Sequence, residues 1–470
     1  MTNFNKFLKT AFVLIALFVF TEKNFGQTCY AEPGQILIDL VNQTDLPAVA
    51  TQYGLDQAPI DQVGTPPTYR MRILASNSQT PCQIATAMSN DARITQAEPN
   101  RKLNYVESFN LNWTQGRSWA IGRSWAIGGS SKAYGRQWFP DLIRLDQAHA
   151  ISTGEDVIVA VLDTGIDLNH PAFAGKLVPG YDFVADDNDP SEEGILHTDA
   201  AYGHGTHVAG IVALTAPRAK IMPLRVLNSR GEGELWRIKN AIIWAAQHLP
   251  NDLPNGRNYK LVVNMSFAYP PNIAPGSNTF LHDLMDGCDG EVPEPGEQQF
   301  PEFQGKRITF VAAAGNSGTS AKLYPAAESV ESLNNLIGVG ASTRYDKLAD
   351  FSTMAEGRRG SERWVEAVAP GVDIISAIPG GRYGMWSGTS MSAPIVSGII
   401  ALVIQKNPNE VPGFYIDKIT EENDQPRGVQ WDCRNSSPRN YIFKTTRVDA
   451  LCPLNNQACT FPPSTACQPQ

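Results

Sequence analysis

The apolar residues of this chain change their spacing along its length, and the spacing predicts strands and helices. Near-continuous apolar runs at 157–162, 261–267 and 308–314 are typical of strands buried on both faces of a parallel sheet. The apolar residues at 395–404 instead cover nearly every face of a helix, which places that helix in the core. Strand and helix signals alternate from residue 137 onward, so we expect an α/β domain with a mostly parallel central sheet.

A smaller unit at residues 28–106 precedes this domain. Its patterns predict, in order, a strand at 36–38, a helix at 46–53, a strand at 69–74, a second helix and a strand at 93–96. The second helix has the signature of a capping box, with Thr80 as N-cap, Pro81 as first helical residue and Gln83 as the third. We interpret this unit as a ferredoxin-like α+β fold.

The segments outside these two units have patterns of their own. Residues 1–27 carry lysines before an apolar run that is too short to span a bilayer, which predicts a secretory signal peptide. Residues 107–136 are rich in Ser, Gly, Asn and Trp, and they repeat the hexapeptide Arg-Ser-Trp-Ala-Ile-Gly in tandem. Exposed connectors accept short insertions cheaply, so this segment is predicted to be a linker. The α/β domain then covers 137–453, and a cysteine-containing tail covers 454–470.

Composition and charge limit the classes of function. The chain has 470 residues, 42% of them hydrophobic, and a formal net charge of −9. The length and the apolar content suit a large globular core. The negative charge gives no reason to expect nucleic acid or an anionic membrane surface as a partner. After the signal peptide, no segment is predicted to span a membrane.

The seven cysteines lie mostly toward the two ends of the chain, which suggests a local disulfide at each end. An odd number leaves at least one thiol free or paired between molecules, and the sequence leaves the pairing open. Cys29 and Cys82 both fall in the unit at 28–106, where a bridge between them would brace it.

A serine precedes the predicted core helix. Gly388-Thr389-Ser390 leads into it, and Thr389 is the expected N-cap. A hydroxyl at such a helix start faces unpaired N–H groups and the positive end of the helix dipole, which favour a nearby oxyanion. A serine that only caps the helix is the alternative. Ser392 stands where the elbow motif Gly-x-Ser-x-Gly needs glycine, which argues against an α/β-hydrolase.

Three more polar residues stand where catalytic groups gather in α/β folds, at strand ends and helix starts. Asp163 ends one predicted strand, Asn316 follows another on a glycine-flanked loop, and His204 opens a helix. Each has an ordinary alternative, as a turn residue or a packed histidine. A zinc site on His204 and His207 is disfavoured because the glutamate of His-Glu-x-x-His is missing.

Asp163, His204 and Ser390 are the residue types of a nucleophilic triad. A serine hydroxyl is too weakly acidic to attack a peptide carbonyl unaided, so a histidine must take its proton and an aspartate must orient the imidazole. The chain order Asp, His, Ser is that of subtilisin, and it differs from the orders of chymotrypsin and the α/β-hydrolases.

The motifs around these residues resemble those of the subtilase (S8) family of serine proteases. The similar segments are Asp163-Thr-Gly-Ile-Asp167, Gly203-His-Gly-Thr-His-Val-Ala-Gly210, Ala314-Gly-Asn316 and Gly388-Thr-Ser-Met-Ser-Ala-Pro394. The resemblance covers about residues 137–453. It implies a subtilisin-like three-layer domain and a secreted serine endopeptidase that works through an acyl-enzyme and is made as a self-processed zymogen.

The resemblance also implies roles for single residues. Ser390 would be the nucleophile, His204 the general base and then acid, Asp163 its orienting partner and Asn316 the oxyanion donor. An extended protein or peptide substrate would add as a strand beside these residues: Ser266, Phe267, Ala268, Ala313, Ala314 and Gly315. Leu323 would form the floor of the primary specificity pocket and favour small or medium apolar residues.

The resemblance further implies that the unit at 28–106 is an inhibitory propeptide, an intramolecular inhibitor that is cut off within 107–137. The Ala-Ile-Gly ends of the hexapeptides are candidate cut sites. No cofactor is expected for the chemistry, but structural calcium is predicted at Asp182, Asp187 and Asp189, with a solvated acidic loop as the alternative. The competing function is a catalytically silent subtilase fold that serves as a binding module, against which the intact triad argues.

Overall fold

The computed structural model describes most of the chain outside its two ends. The described residues are 29–109, 126–196, 198–250, 259–270, 279–289, 301–303, 306–330, 333–354, 364–422, 425–426, 429–434 and 442–454. The predicted signal peptide, most of the hexapeptide repeat and the C-terminal tail therefore lie outside them.

The N-terminal unit is an antiparallel sheet that packs against two helices. Its elements are β1 (Ala31–Leu40), α1 (Leu46–Tyr53), β2 (Asp61–Val63), β3 (Thr68–Arg72), α2 (Pro81–Met88) and β4 (Ile94–Tyr105). The strand order is β4-β1-β3-β2. The predicted capping box is present at α2, because Thr80 and Gln83 each accept the other's backbone N–H through their side chains. A disulfide joins Cys29 to Cys82 across this unit, as the cysteine positions suggested.

The first half of the α/β domain supplies strands at one end of the central sheet, together with several helices. Its elements are β5 (Ala126–Gly129), α3 (Ser131–Gly135), α4 (Trp138–Leu142), α5 (Leu145–His149), β6 (Val157–Asp163), β7 (Tyr181–Asp182), α6 (His204–Thr215), β8 (Lys220–Arg225), β9 (Glu232–Glu234) and α7 (Leu235–Gln247). The end of the second hexapeptide is thus a strand, where the sequence analysis expected a linker.

The second half completes the sheet. Its elements are β10 (Lys260–Met265), β11 (Phe267–Ala268), α8 (Phe280–Asp286), β12 (Ile308–Ala313), β13 (Leu336–Ser342), β14 (Ala367–Pro370), β15 (Ile374–Ile378), β16 (Arg382–Trp386), α9 (Thr389–Lys406), α10 (Pro412–Ile419), β17 (Glu421–Glu422), β18 (Gln425–Pro426), β19 (Val429–Arg434) and β20 (Ile442–Arg447).

The central sheet has the strand order β19-β20-β14-β13-β12-β10-β6-β8-β7. All neighbouring pairs in it are parallel except β19 and β20. Every residue of β6 is buried, as expected of a strand covered by helices on both faces. The mostly parallel α/β domain predicted from the sequence is therefore confirmed.

Helix α9 passes through the centre of the domain. By length and composition it is the one described helix apolar enough to cross a membrane, which the sequence analysis did not foresee. Its residues from Thr389 to Ile404 are buried inside the protein, so it is a core helix here, as its apolar pattern predicted.

The N-terminal unit joins the α/β domain through one long strand. The end of β4 runs antiparallel to β9 on one side and to β11 on the other. Helix α7 also contacts this unit, because the buried Lys239 Nζ donates a hydrogen bond to Thr68 Oγ1. The cleft between β9 and β11 is thus filled by the chain itself.

Candidate active site

Asp163 is the last residue of β6, at the carboxyl end of the sheet where ligands bind in such folds. Its side chain is buried, and its Oδ1 accepts the backbone N–H of Thr164 at 2.8 Å. The same oxygen lies 2.7 Å from His204 Nδ1. The aspartate can therefore fix both the orientation of the imidazole and the proton on Nδ1.

His204 is the first residue of α6, directly after Gly203. The helix start lies close to the loop after β6, since a Cβ at Gly205 would meet the backbone oxygen of Gly165. The His204 ring is fully buried, and Trp386 packs against it edge to face, with ring centroids 5.1 Å apart. Because Asp163 engages Nδ1, Nε2 is the His204 nitrogen on the other side of the ring, and it lies 3.3 Å from the Glu107 carboxylate.

Ser390 is the second residue of α9. The helix begins at Thr389 with Gly388 as N-cap and no capping side chain, so the predicted N-cap role of Thr389 is wrong. Thr389 instead uses its hydroxyl to accept the N–H of Gly315, at 3.1 Å. The N–H of Met391 bonds back to the Gly388 carbonyl oxygen at 3.1 Å. The N–H of Ser390 has no carbonyl one turn earlier in the helix to bond, which suits an oxyanion beside the serine.

Asn316 is held next to this helix start. Its Oδ1 accepts the backbone N–H of Thr389 at 2.9 Å, which turns the amide so that Nδ2 faces away from the helix. A Cβ built on Gly388 would lie 3.1 Å from Asn316 Nδ2 and would also collide with the Glu107 carboxylate. Glycine at position 388 therefore keeps open the space that the amide donor points into.

Glu107 is a site residue that the sequence analysis missed. Its Oε2 accepts the Ser390 hydroxyl at 3.0 Å and lies 3.3 Å from His204 Nε2, so one carboxylate oxygen stands between the serine and the histidine. Nothing in the local pattern around Glu107 signals this, because the contact joins residues 283 positions apart in the chain. The structure thus brings Asp163, His204, Asn316 and Ser390 together around an intrachain carboxylate.

Some of the predicted substrate-binding residues lie on a strand of the cleft, and others lie on the central sheet. Phe267 and Ala268 form β11 and pair with β4, as strand addition requires. Ala313 lies instead in β12 of the central sheet, where its neighbour β13 takes up its backbone pairing. The second strand beside the bound segment is β9, a short Glu-Gly-Glu stretch that lacks the apolar pattern of a strand.

The comparisons with known proteins agree with this geometry. The sequence profile of the subtilase family, peptidase family S8, matches residues 154–427. A thermophilic serine proteinase from Bacillus sp. (strain AK1) is 34% identical over 339 residues, which are 70% of this chain and 67% of that protein. The chain belongs to the subtilase family.

Two further relatives support the assignment. Thermitase from Thermoactinomyces vulgaris is 34% identical over 279 residues, which are 57% of this subtilase and 82% of thermitase. Fervidolysin from Fervidobacterium pennivorans, a keratinolytic enzyme related to subtilisin, superposes with a TM-score of 0.62 at 22% identity, covering 92% of this chain and 62% of that one. That likeness shows the subtilisin-like fold. The subtilase is accordingly a serine endopeptidase, of a family that needs no cofactor for catalysis.

The carboxylates around His204 change the pKa of its imidazole. Burial by itself lowers the pKa of His204, but the carboxylates of Asp163 and Glu107 more than reverse this and raise it from 6.5 to about 10. With Glu107 in place the imidazole is therefore protonated at neutral pH. A protonated imidazole cannot accept a proton from the Ser390 hydroxyl.

His207 lies one turn further along α6 and plays a packing part. Its Nε2 lies 3.1 Å from the carbonyl oxygen of Ile374 and 3.3 Å from that of Gly384. Burial lowers the pKa of His207 to about 3, so the ring stays neutral and donates one hydrogen bond.

Leu323 and the acidic loop complete the predicted site residues. Leu323 is buried, and its side chain lies against Gly315, the residue before Asn316. In the acidic loop, Asp182 Oδ2 pairs with Arg225 Nη1 at 2.5 Å. One carboxylate oxygen of this predicted calcium ligand is therefore already bonded to an arginine. The described residues bring together no three His, Cys, Asp or Glu side chains that could hold a metal ion. Calcium at Asp182, Asp187 and Asp189 stays a prediction.

Proposed function

We propose that this subtilase is a secreted endopeptidase, made as a zymogen, that hydrolyses peptide bonds through Asp163, His204 and Ser390. The observation that carries the proposal is the 2.7 Å contact between His204 Nδ1 and Asp163 Oδ1, with Nε2 of the same ring beside the Glu107 oxygen that accepts the Ser390 hydroxyl. This is the arrangement that a histidine needs in order to relay a proton while an aspartate stabilises the imidazolium.

The proposed reaction follows from these positions. His204 Nε2 takes the proton of the Ser390 hydroxyl as its oxygen attacks the substrate carbonyl, and the negative oxygen is stabilised by Asn316 Nδ2 and the N–H groups at the start of α9. His204 then protonates the leaving amine, and water hydrolyses the acyl-enzyme with the same histidine as base. The substrate is a protein or peptide that lies extended between β9 and β11.

The zymogen part of the proposal rests on what fills that cleft. β4 of the N-terminal unit occupies the space of an extended peptide, and Glu107 engages both Ser390 and His204. Residues 28–106 would thus act as an inhibitory propeptide. The disulfide between Cys29 and Cys82 and the signal-type segment at 1–27 support export to an oxidising compartment.

The nucleophile is tested by two serine variants in the same helix. Ser390→Ala should reduce hydrolysis of casein by several orders of magnitude and leave the precursor uncut, because no hydroxyl remains to be activated. Ser392→Ala is the matched control, because the Ser392 hydroxyl donates to the backbone oxygen of Ala369. This substitution should leave self-cleavage intact. A fluorophosphonate should label the processed wild-type chain at Ser390. Efficient self-cleavage by purified Ser390→Ala would refute the proposal.

A further inference from the structure

The chain presents a short stretch of itself to its own catalytic residues. Asn104 pairs with Glu232 of β9 on one side and with Ala268 of β11 on the other. Tyr105 continues this pairing, because its N–H donates to the carbonyl oxygen of Gly231 at 2.9 Å. An extended segment bonded on both sides is held in the manner of a bound peptide substrate, with a fixed register relative to the nucleophile.

The contacts with the catalytic residues show which bond lies nearest to Ser390. The Tyr105 ring packs edge to face against the His204 ring, with centroids 5.6 Å apart. Two residues later, the Glu107 carboxylate contacts His204 Nε2 and the Ser390 hydroxyl. Val106 lies between these two contacts and is fully buried. The Val106–Glu107 peptide bond therefore lies between Tyr105 and Glu107, the two residues of this segment that contact the proposed catalytic pair.

The side chains of the segment fit places that the cleft provides. Leu103 is fully buried, and a Cβ at Gly233 would lie 2.9 Å from its Cδ1. A Cβ at Gly231 would collide in the same way with the Tyr105 ring. The two glycines of the β9 edge thus make room for alternate side chains of the bound strand, which point to the same side. Leu103, Tyr105 and the buried Val106 therefore indicate that the cleft prefers apolar side chains at these three positions of a bound peptide.

We infer, on the basis of the proposed function, that the Val106–Glu107 peptide bond is the self-processing site and that Leu103, Tyr105 and Val106 mark the preferred substrate class. Once the Glu107 carboxylate leaves Ser390, the serine oxygen attacks the Val106 carbonyl carbon and its proton passes to His204. The bond to the Glu107 nitrogen breaks, and that nitrogen takes the proton from His204. Water then releases Val106 as a carboxylate, so the step consumes one water and no other reactant.

This site differs from the cut sites that the hexapeptides suggested. The Ala-Ile-Gly of the second copy lies in β5, which is paired with β16 rather than with the cleft strands. A cut at Val106–Glu107 leaves β5 on the α/β domain and ends the N-terminal unit at residue 106. The new first residue, Glu107, is the one whose carboxylate had engaged the catalytic pair.

The decisive measurement is the intact mass of the N-terminal fragment released early in processing of the full chain. A fragment that ends at Val106, with Glu107 as the partner N-terminus, supports the inference, and a fragment that ends anywhere else overturns it. An uncut chain that is nevertheless active also overturns it. An uncut and inactive wild-type chain that no fluorophosphonate labels would instead refute the proposed function, so the two failures are distinguishable.

A second measurement tests the substrate class on the processed enzyme. Reporter peptides with the sequence Leu-Asn-Tyr-Val before the cut are compared with matched peptides that carry Asp in place of Val, or Ala in place of both Leu and Tyr. We expect kcat/KM to fall by about tenfold or more for each replacement, because buried apolar contacts are lost or a charge is buried. Equal kcat/KM values for the three peptides would overturn the assignment of the recognised residues.

Discussion

Glu107 shares one carboxylate oxygen between the two side chains that must exchange a proton. While it does so, the Ser390 hydroxyl donates to the carboxylate and the His204 imidazole carries a proton. Both partners are then in the wrong state for attack, since the serine proton must go to a neutral imidazole. Under the proposed mechanism, a single acidic side chain can therefore hold Ser390 and His204 inactive without any change in the positions of the three proposed triad residues.

Replacing this carboxylate should change how self-processing depends on pH. The reaction needs neutral His204, so the wild-type rate should rise as the pH increases from the ordinary histidine pKa of 6.5 toward about 10. Glu107→Gln removes one of the two charges that raise the pKa, and the rising part of the pH–rate profile should move to lower pH. The measurement is the initial rate of precursor loss at a series of pH values.

Glu232→Gln is the control for this experiment. Glu232 is an exposed glutamate on β9, in the same cleft, and it bonds to Asn228 rather than to the triad. Its loss should leave the pH–rate profile where it is. If Glu107→Gln shows the wild-type profile as well, the carboxylate does not control the protonation of His204.

The sequence was informative about single residues wherever a motif is local. Asp163, His204, Asn316 and Ser390 each stand within two residues of a glycine near a strand end or helix start, and the structure brings them together. Glu107 could not be found in this way. Its contact depends on where the cleft places residue 107, and that placement is decided by strands far away in the chain.

At the scale of elements, the start of α9 has an unusual hydrogen-bond arrangement. Pro394 lies inside the helix and has no N–H to donate to the carbonyl of Ser390, four residues earlier. The Ser266 hydroxyl lies 3.2 Å from that carbonyl oxygen and donates to it instead. Ser266 thus replaces a missing bond of the core helix, at the residue that we propose as the nucleophile.

A double-mutant cycle measures this replacement. In the inactive Ser390→Ala background, Ser266→Ala should lower the free energy of unfolding by about 1–3 kcal/mol, because a buried carbonyl loses its donor. Adding Pro394→Ala supplies a new N–H, so the cost of Ser266→Ala should be smaller there. Urea unfolding is measured for the Ser390→Ala background, for each further substitution alone and for both together. The four free energies of unfolding give the coupling free energy between Ser266 and Pro394.

Ser376→Ala serves as the comparison in the same cycle. The buried Ser376 hydroxyl donates to the carbonyl oxygen of His207 at 2.7 Å, outside α9, and takes no part in the bond that proline removes. Its cost should be the same whether or not the chain also carries Pro394→Ala. If Ser266→Ala also costs the same in both backgrounds, Ser266 does not compensate for the proline.

Helices and strands with a clear capping or apolar pattern could be predicted from the sequence. Short strands that form only by pairing with a distant strand could not. The capping box at α2 and the buried strand β6 follow directly from their sequences. β5 and β9 have no apolar alternation, and they are strands only because β16 and β4 lie beside them. The helix start at Ser390 was misassigned by one residue, since Thr389 has the chemistry of a cap but uses its hydroxyl for Gly315.

At the scale of the whole molecule, buried polar contacts join the N-terminal unit to the α/β domain. Glu98 pairs with Arg101, and its Oε2 accepts the N–H of Phe280 at 3.0 Å. The Arg101 guanidinium lies over the Tyr269 ring. All of these groups are buried between the two units, so cleavage of the connecting chain alone leaves them in place. We therefore expect the cleaved N-terminal unit to remain bound.

Breaking the buried pair should release the unit after cleavage. Glu98→Ala leaves Arg101 without its partner and Phe280 without an acceptor, which costs about 3–5 kcal/mol for a buried ion pair. The wild-type fragment should co-elute with the enzyme in size-exclusion chromatography at neutral pH, and the Glu98→Ala fragment should separate. Lys102→Ala is the control, because its pair with Glu32 is partly exposed and about 0–1 kcal/mol is expected. Co-elution of the Glu98→Ala fragment would show that β4 pairing alone suffices.

The strand β5 has a duplicate in the sequence, since the first hexapeptide ends in the same Ala-Ile-Gly as the second. Six is an even number, so exchanging one copy for the other on β16 would keep every side chain on its own face of the sheet. The one altered position is the last, where Arg123 would replace Gly129 opposite Tyr383. The protein thus carries redundancy at an edge of its fold: if the second copy were deleted in the gene, the first would offer the same Ala-Ile-Gly to β16.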